Sequence, residues 1–229
     1  MKIAGLMKLT LLDFPEKTAC TVFTPGCNFR CPYCHNSGLV ETGAPRGEIS
    51  ESDFFEFLKS RQGKLDGVAI TGGEPLMHAD LADFAAEVRR MGFLVKLDTN
   101  GSYPDRLEAF ISRGLADYIA MDIKAAPENY AKAAGVAAPI DKIKESVGLI
   151  MNSRVPYEFR TTAAKGAVSP DDFEKIGAWL SGCKNYYIQN FVDSGSLLTQ
   201  NCNGYTPDEM NGFLNTVRKY IPGAELRGL

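Results

Sequence analysis

Within ten residues, CNFRCPYCHN at 27–36, three thiols stand at the spacing C-x3-C-x2-C: Cys27, Cys31 and Cys34. Thiolates this close grip one object, and they suit zinc or an iron–sulfur cluster. Structural zinc takes four protein ligands. His35 would make a fourth, but it directly follows Cys34, and zinc-site spacings avoid adjacent ligands. A four-iron cluster held by three cysteines instead leaves one iron open to a substrate or cofactor. The remaining thiols read as structural. Cys20 lies in the apolar run ACTVF, and Cys183 and Cys202 are far apart, too few for a second complete site.

Polar residues of use to chemistry recur at five more places: TGGEP at 71–75, DTNG at 98–101, MDIK at 121–124, EFRTT at 158–162 and YIQNF at 187–191. Each falls in or just after a short apolar, β-rich run. These runs are 67–71, 93–98, 117–122, 157–162 and 185–191, and the run 19–23 precedes the cysteines. Between them lie stretches of helical period, such as Leu81, Phe84, Ala85, Val88 and Met91, or Met210, Phe213, Leu214, Val217 and Ile221. Ser50, Asp80, Pro104 and Ser169-Pro170 mark helix starts, and Gly92 and Gly114 mark ends.

Strand and helix thus alternate about six times, which implies parallel strands joined by right-handed crossovers. Eight units close a full barrel. Six predict an α/β fold with a partial (β/α)6 TIM-like barrel, open on one side; a doubly wound open sheet is the alternative. Residues 2–17 read as a short hairpin or arm and 224–228 as a last short strand. No linker or repeat divides the chain, so residues 1–229 read as one domain, an arm over 1–18 and a barrel over 19–229. Sites in such folds lie at the carboxyl ends of the strands, where these polar clusters fall.

Bulk composition is that of an ordinary soluble protein: 229 residues, 45% apolar, 23% charged, net charge −3. No apolar stretch approaches a membrane span, and the N-terminus lacks signal-peptide order. A cytoplasmic protein with no membrane partner is expected. No basic face points to nucleic acid.

The cysteine motif, with the aromatic Tyr33 before its last thiol, resembles the signature of the radical S-adenosylmethionine enzymes. TGGEP resembles that superfamily's Gly-Gly-Glu motif. CHN, DTNG and MDIK are similar to the glycyl-radical-enzyme activating enzymes. From KLTLLDFPEKT to ELRGL the chain looks most like the activating proteins of anaerobic ribonucleoside-triphosphate reductases.

The resemblance implies a barrel of the radical S-adenosylmethionine type and a 4Fe–4S cluster on Cys27, Cys31 and Cys34. Its fourth iron would chelate S-adenosylmethionine, and an electron entering the S–C5′ bond would release methionine and a 5′-deoxyadenosyl radical. The cluster would lie toward the low end of the range of roughly −700 to +450 mV. No side chain is implied as acid or base. Tyr33 would sit beside the adenine or cluster, and Gly72 and Gly73 would let the cofactor's ammonium approach. Glu74 would pair with that ammonium or anchor its loop. Asp98, Thr99, Met121 and Asp122 resemble positions that cradle a monovalent cation in the pyruvate formate-lyase activating enzyme. Lys124 would offset those carboxylates or meet the cofactor's carboxylate or ribose. Asn100 and Gly101 form a turn beside it. Arg160 would bind the cofactor carboxylate or join a rim ion pair, though not with Glu158, two positions away on its own strand.

Relatives' His near the end of the sixth strand is missing from IQNFVDSG; Gln189 or Asn190 would replace it. No cysteine-rich insert follows Cys34, and His78 reads as structural. The implied partner is a glycyl-radical enzyme, an anaerobic ribonucleotide reductase, with a flavodoxin or ferredoxin as electron donor and an anaerobic setting. The rivals are an activator of the pyruvate formate-lyase type, a small-molecule enzyme such as a carboxy-deazaguanine synthase, and a non-catalytic zinc-binding module.

Overall fold

The computed structural model describes residues 1–40, 49–193 and 202–228. Each apolar run is a strand. Eight strands form one sheet in strictly sequential order: β1 (Gly5–Thr10), β2 (Ala19–Thr24), β3 (Gly67–Gly72), β4 (Leu94–Thr99), β5 (Tyr118–Asp122), β6 (Tyr157–Ala163), β7 (Tyr186–Asn190) and β8 (Glu225–Arg227). From β2 to β8 every neighbouring pair is parallel. Only β1 runs antiparallel, against β2. A doubly wound sheet reverses its order at a switch point. This order never reverses, so the fold is the expected α/β partial barrel, with β2–β7 as its strands and β1 and β8 as its edges.

Helices α1 (Glu51–Lys59), α2 (Leu81–Arg90), α3 (Pro104–Ser112), α4 (Tyr130–Ala134), α5 (Ile140–Asn152), α6 (Pro170–Trp179) and α7 (Pro207–Arg218) occupy the connections. Their periodic apolar residues are the buried ones, as with Leu81, Phe84, Ala85 and Val88 of α2. The ring of Phe54 on α1 lies 5.2 Å from that of Phe84. Burying one such side chain contributes about 1.5–3 kcal/mol before chain entropy is counted. Ser50 caps α1 by accepting the Asp53 N–H, and Thr206 and Glu209 form a capping box on α7. Each cap contributes about 1 kcal/mol. Among the described residues no helix is long and apolar enough to cross a membrane.

Three local features refine the expectation. The arm over 2–17 does not pair with itself: β1 takes the first barrel strand as its partner. Asp80 stands at the start of α2, as read from the sequence, but its side chain makes no capping hydrogen bond. The short α4 lies in a stretch with no legible period; five residues are too few to show one. It ends at Gly135, φ +68°, whose missing Cβ would fall 2.0 Å from the Arg30 carbonyl oxygen. The Arg30 N–H donates to the Ala134 carbonyl at 2.8 Å, so α4 supports the cysteine loop from below.

The paired glycines after β3 have a steric cause. A Cβ on Gly72, φ +123°, would lie 2.3 Å from the Thr24 nitrogen, and one on Gly73 would lie 1.8 Å from the Gly26 carbonyl oxygen. Two backbones touch here, and no side chain fits between them. Gly73→Ala is therefore expected to lower stability by about 2–3 kcal/mol. Gly148→Ala on α5, where a Cβ meets nothing within 4 Å, should raise it by up to about 1 kcal/mol. Denaturant unfolding of the apoprotein reads both.

Candidate functional site

Alternate residues of a strand share a face, so polar residues near the carboxyl ends of parallel strands meet on one rim. Here they enclose a cavity of about 210 Å³, partly open to solvent. Cys27, Cys31, Tyr33, Cys34, Gly72, Gly73, Glu74, Asp98, Asn100, Asp122, Lys124 and Arg160 all line it. Thr99 does too, whereas Met121 lies buried in the core.

The loop after β2 is held by its backbone. The N–H of Gly26 donates to the Leu39 carbonyl at 2.6 Å and that of Cys27 to the Val40 carbonyl at 3.2 Å. The Glu74 N–H reaches the Gly26 carbonyl at 2.8 Å. The Arg30 guanidinium donates to the carbonyls of Cys27 and Phe29, at 2.7 and 2.8 Å. His78, outside the cavity, meets the Pro25 carbonyl through Nε2 at 2.8 Å.

All three loop thiols are free. Burial raises the Cys27 pKa and pushes the Cys31 thiol up to about 11. Among the described residues, no three His, Cys, Asp or Glu are drawn together as a preformed metal site. The thiols nevertheless face one cavity, and among the described residues no fourth His, Cys, Asp or Glu joins them. The His35 ring is stacked on Phe191 at 5.5 Å, and its Nε2 meets the Val192 carbonyl at 2.8 Å. Three sulfur donors fit a cluster with one open iron, and they lack the fourth ligand of structural zinc. Cys20, Cys183 and Cys202 are buried away from the cavity. Burial pushes the Cys20 and Cys183 thiols up to about 12.

Glu74 is fully buried and accepts from the Leu76 N–H at 3.1 Å, the Thr99 hydroxyl at 2.8 Å and the Asn100 N–H at 2.7 Å. Burial pushes its carboxyl up to about 7 against those donors. Tyr33 is buried with its hydroxyl 3.4 Å from the Lys124 carbonyl.

On the cavity's other wall, charges alternate. The two oxygens of Asp98 meet Lys96 and, at 3.0 Å, Arg160. Those of Asp122 meet Arg160 at 2.5 Å and Lys124 at 3.0 Å. All four carboxylate oxygens thus face a side-chain cation. The barrel register places Asp122 directly beside Arg160. Glu158 comes within 3.8 Å of Arg160, contrary to the expectation from their spacing. Its oxygens belong mainly to Arg227, at 2.9 Å each, and to the Tyr118 hydroxyl at 3.1 Å. Arg227 in turn lies 3.8 Å over the Tyr187 ring.

Burial opposes the charge on Asp98, but Arg160 and Lys96 outweigh it and hold the carboxyl below its ordinary value. Asp122 is likewise held below its ordinary value: Arg160 and Lys124 overcome the same burial penalty. Depressed native pKa values stabilise the fold above the unfolded value of about 4, and that stability is lost as the pH falls through the native values. The thermal midpoint should therefore drop in acid, and Asp122→Asn should flatten the drop. Calorimetry from about pH 6 down to pH 3 measures it, across the ordinary Asp value.

Lys96, Asn28 and Ser102 escaped sequence reasoning. Lys96 is almost fully buried inside β4; its one signal is Asp98, two residues on and hence on the same face. Of the two candidates on β7, Asn190 spends its amide on the Tyr205 backbone, at 2.8 and 2.9 Å. Gln189 lines the cavity.

The profile of the Radical SAM superfamily matches residues 21–180. A Methanocaldococcus jannaschii protein provisionally named a glycyl-radical enzyme activating enzyme, MJ1227, is 32% identical over 196 residues, 82% of this chain and 79% of its own. A second from that organism with the same provisional name, MJ1632, is 30% identical over 91% of this chain and 79% of its own. Among solved structures, a radical SAM methyltransferase from Sphaerobacter thermophilus superposes with a TM-score of 0.74 at 15% identity, over 96% of this chain and 68% of that one. That likeness is one of fold. The extent of the profile match and the two archaeal relatives establish that this chain belongs to the radical SAM superfamily and is a radical SAM enzyme.

Proposed function

We propose that the chain activates a glycyl-radical enzyme, and that its target is an anaerobic ribonucleoside-triphosphate reductase. The observation that carries this is the cavity: three free thiols, with no fourth protein ligand among the described residues, share it with a buried carboxylate and a charged wall. The names of the two archaeal relatives support the activating role. The likeness of motifs along the whole chain supports the reductase.

In this reading Cys27, Cys31 and Cys34 hold three irons of a 4Fe–4S cluster. When cluster and cofactor are bound, one electron from a flavodoxin- or ferredoxin-type protein cleaves the S–C5′ bond, and the fragment takes hydrogen from a glycine Cα to give 5′-deoxyadenosine. The residues of the chain bind and aim. Gly72 and Gly73 bring backbone close to the cofactor's ammonium, and Glu74 turns carboxylate toward it while anchoring the loop. Tyr33 covers the adenine side. Lys124 faces the carboxylate or ribose, and Gln189 replaces the missing histidine. Asp98 and Asp122 need no bound monovalent cation, because Arg160 stands between them with Lys96 and Lys124 on the outer oxygens. The setting is cytoplasmic and anaerobic.

The test is an anoxic, iron- and sulfide-reconstituted preparation, reduced and mixed with S-adenosylmethionine and a candidate reductase. The expected result is 5′-deoxyadenosine together with a glycyl-radical signal in the reductase by electron spin resonance. Cofactor cleavage with no radical on any glycyl-radical protein would overturn the activating role and favour a small-molecule substrate.

A further inference from the structure

Of the three cysteines facing the cavity, Cys27 is treated differently. Its Sγ lies 3.4 Å from the Phe29 N–H and 3.9 Å from Nδ2 of Asn100. Among the described residues no hydrogen bond reaches the sulfur of Cys31 or Cys34.

The Asn100 amide has one permitted orientation. Its Oδ1 accepts from the Ser102 backbone N–H at 3.0 Å, and a backbone N–H can only donate. Nδ2 must therefore face the other way, toward Cys27 and the Asn28 Oδ1, 2.9 Å distant. The Asn28 Nδ2 donates to the Ser102 hydroxyl at 2.9 Å, and that hydroxyl donates back to Asn100 Oδ1 at 2.5 Å. The three side chains close a ring, with Asn100 and Ser102 both buried. The Asn100 N–H is also fixed, on Glu74. Such a ring spends three polar side chains on aiming one N–H bond at one sulfur. The DTNG turn alone does not need it: Thr99 accepts the Gly101 N–H, and Ser146 donates to the Gly101 carbonyl.

We propose that Asn100 is a positioning residue that sets the cluster's reduction potential through its hydrogen bond to the Cys27 sulfur; this rests on the reading of Cys27 as a cluster ligand. Reduction adds negative charge, part of which falls on the sulfurs. A donor at a sulfur stabilises the reduced form more than the oxidised one and raises the potential. Asn28 and Ser102 act through Asn100, holding its amide against rotation.

The experiment is a potentiometric titration of the reconstituted protein followed by electron spin resonance, with cluster content read from iron, sulfide and visible absorbance. In Asn100→Leu the midpoint is expected to move negative with cluster content unchanged. Asn28→Ala leaves the donor in place but frees it, so a smaller shift in the same direction is expected. It also keeps the test decisive if the Asn100 variant fails to fold. In the wild type, solvent deuterium exchange should produce an exchangeable proton coupling by pulsed resonance that weakens in Asn28→Ala. An unmoved midpoint in a fully loaded variant overturns the proposal and leaves the cluster reading intact. A wild-type protein that takes up no cluster overturns both.

Discussion

Cys34→Ala is expected to fold with nearly native stability and to cleave no S-adenosylmethionine. Cys34 is half-exposed on the cavity wall, so removing its sulfur empties little core. The cluster would lose one of three protein ligands, and among the described residues the adjacent candidate for its place, His35, is engaged by Phe191 and Val192. Outer-shell substitutions alone cost about 10–100-fold at metal sites, so loss of a ligand should exceed about 100-fold in 5′-deoxyadenosine formation. Cys20→Ala is the opposite case. That thiol is fully buried in β2, away from the cavity, and removing it should cost about 1 kcal/mol of stability while cluster content and cleavage persist. Iron content, product assay and denaturant unfolding on the two variants separate a ligand from a packed thiol. Equal loss of cluster in both would sink the assignment of the trio.

Arg160→Leu should be the most damaging substitution on the charged wall. Among the described residues Arg160 is the one group that pairs with both Asp98 and Asp122, and its side chain is 18% exposed. Removing one partner of a buried ion pair leaves uncompensated charge and costs about 3 kcal/mol or more. Lys96 and Lys124 still hold the outer oxygens, so the protein should fold, with a lowered unfolding midpoint. The inner oxygens would then be free to take up an external cation. The wild type is expected to bind S-adenosylmethionine equally well in sodium and in N-methylglucamine buffers, and Arg160→Leu to bind better in sodium. Calorimetric titration measures this. Strong sodium dependence in the wild type would show that Arg160 does not serve as the internal cation.

Much of this is legible in the sequence. The apolar runs mark strands because a parallel strand is buried on both faces, and polar residues at its end have only the rim to occupy. The strand ends so marked do meet in one cavity. The charge ladder was not legible, because it depends on register. Asp122 meets Arg160 because β5 and β6 align those residues, and no spacing within one strand encodes an alignment between two. Lys96 was hidden for a related reason: inside LVKLD it reads as a surface charge until the cavity gives it an inner partner. Asn28 and Ser102 lie 74 residues apart and meet only because the β2 and β4 loops share the rim. The glycines after β3 were legible as necessary, but their steric partner, the Gly26 carbonyl, was not.

The sequential strand order carries a consequence for how the protein is made. Each strand pairs with the one synthesised before it, so the sheet can grow from β1 onward without opening to admit a latecomer. The site would then mature in the same order. The cysteine loop comes first, Glu74 locks onto it, and Asp98 and Asp122 arrive with only Lys96 and Lys124 to balance them. Arg160, and finally Arg227 on β8, complete the balance of charge. A nascent chain halted before β6 would hold its cysteine loop and two half-neutralised carboxylates on an unfinished wall, so the site closes only when the last strands arrive.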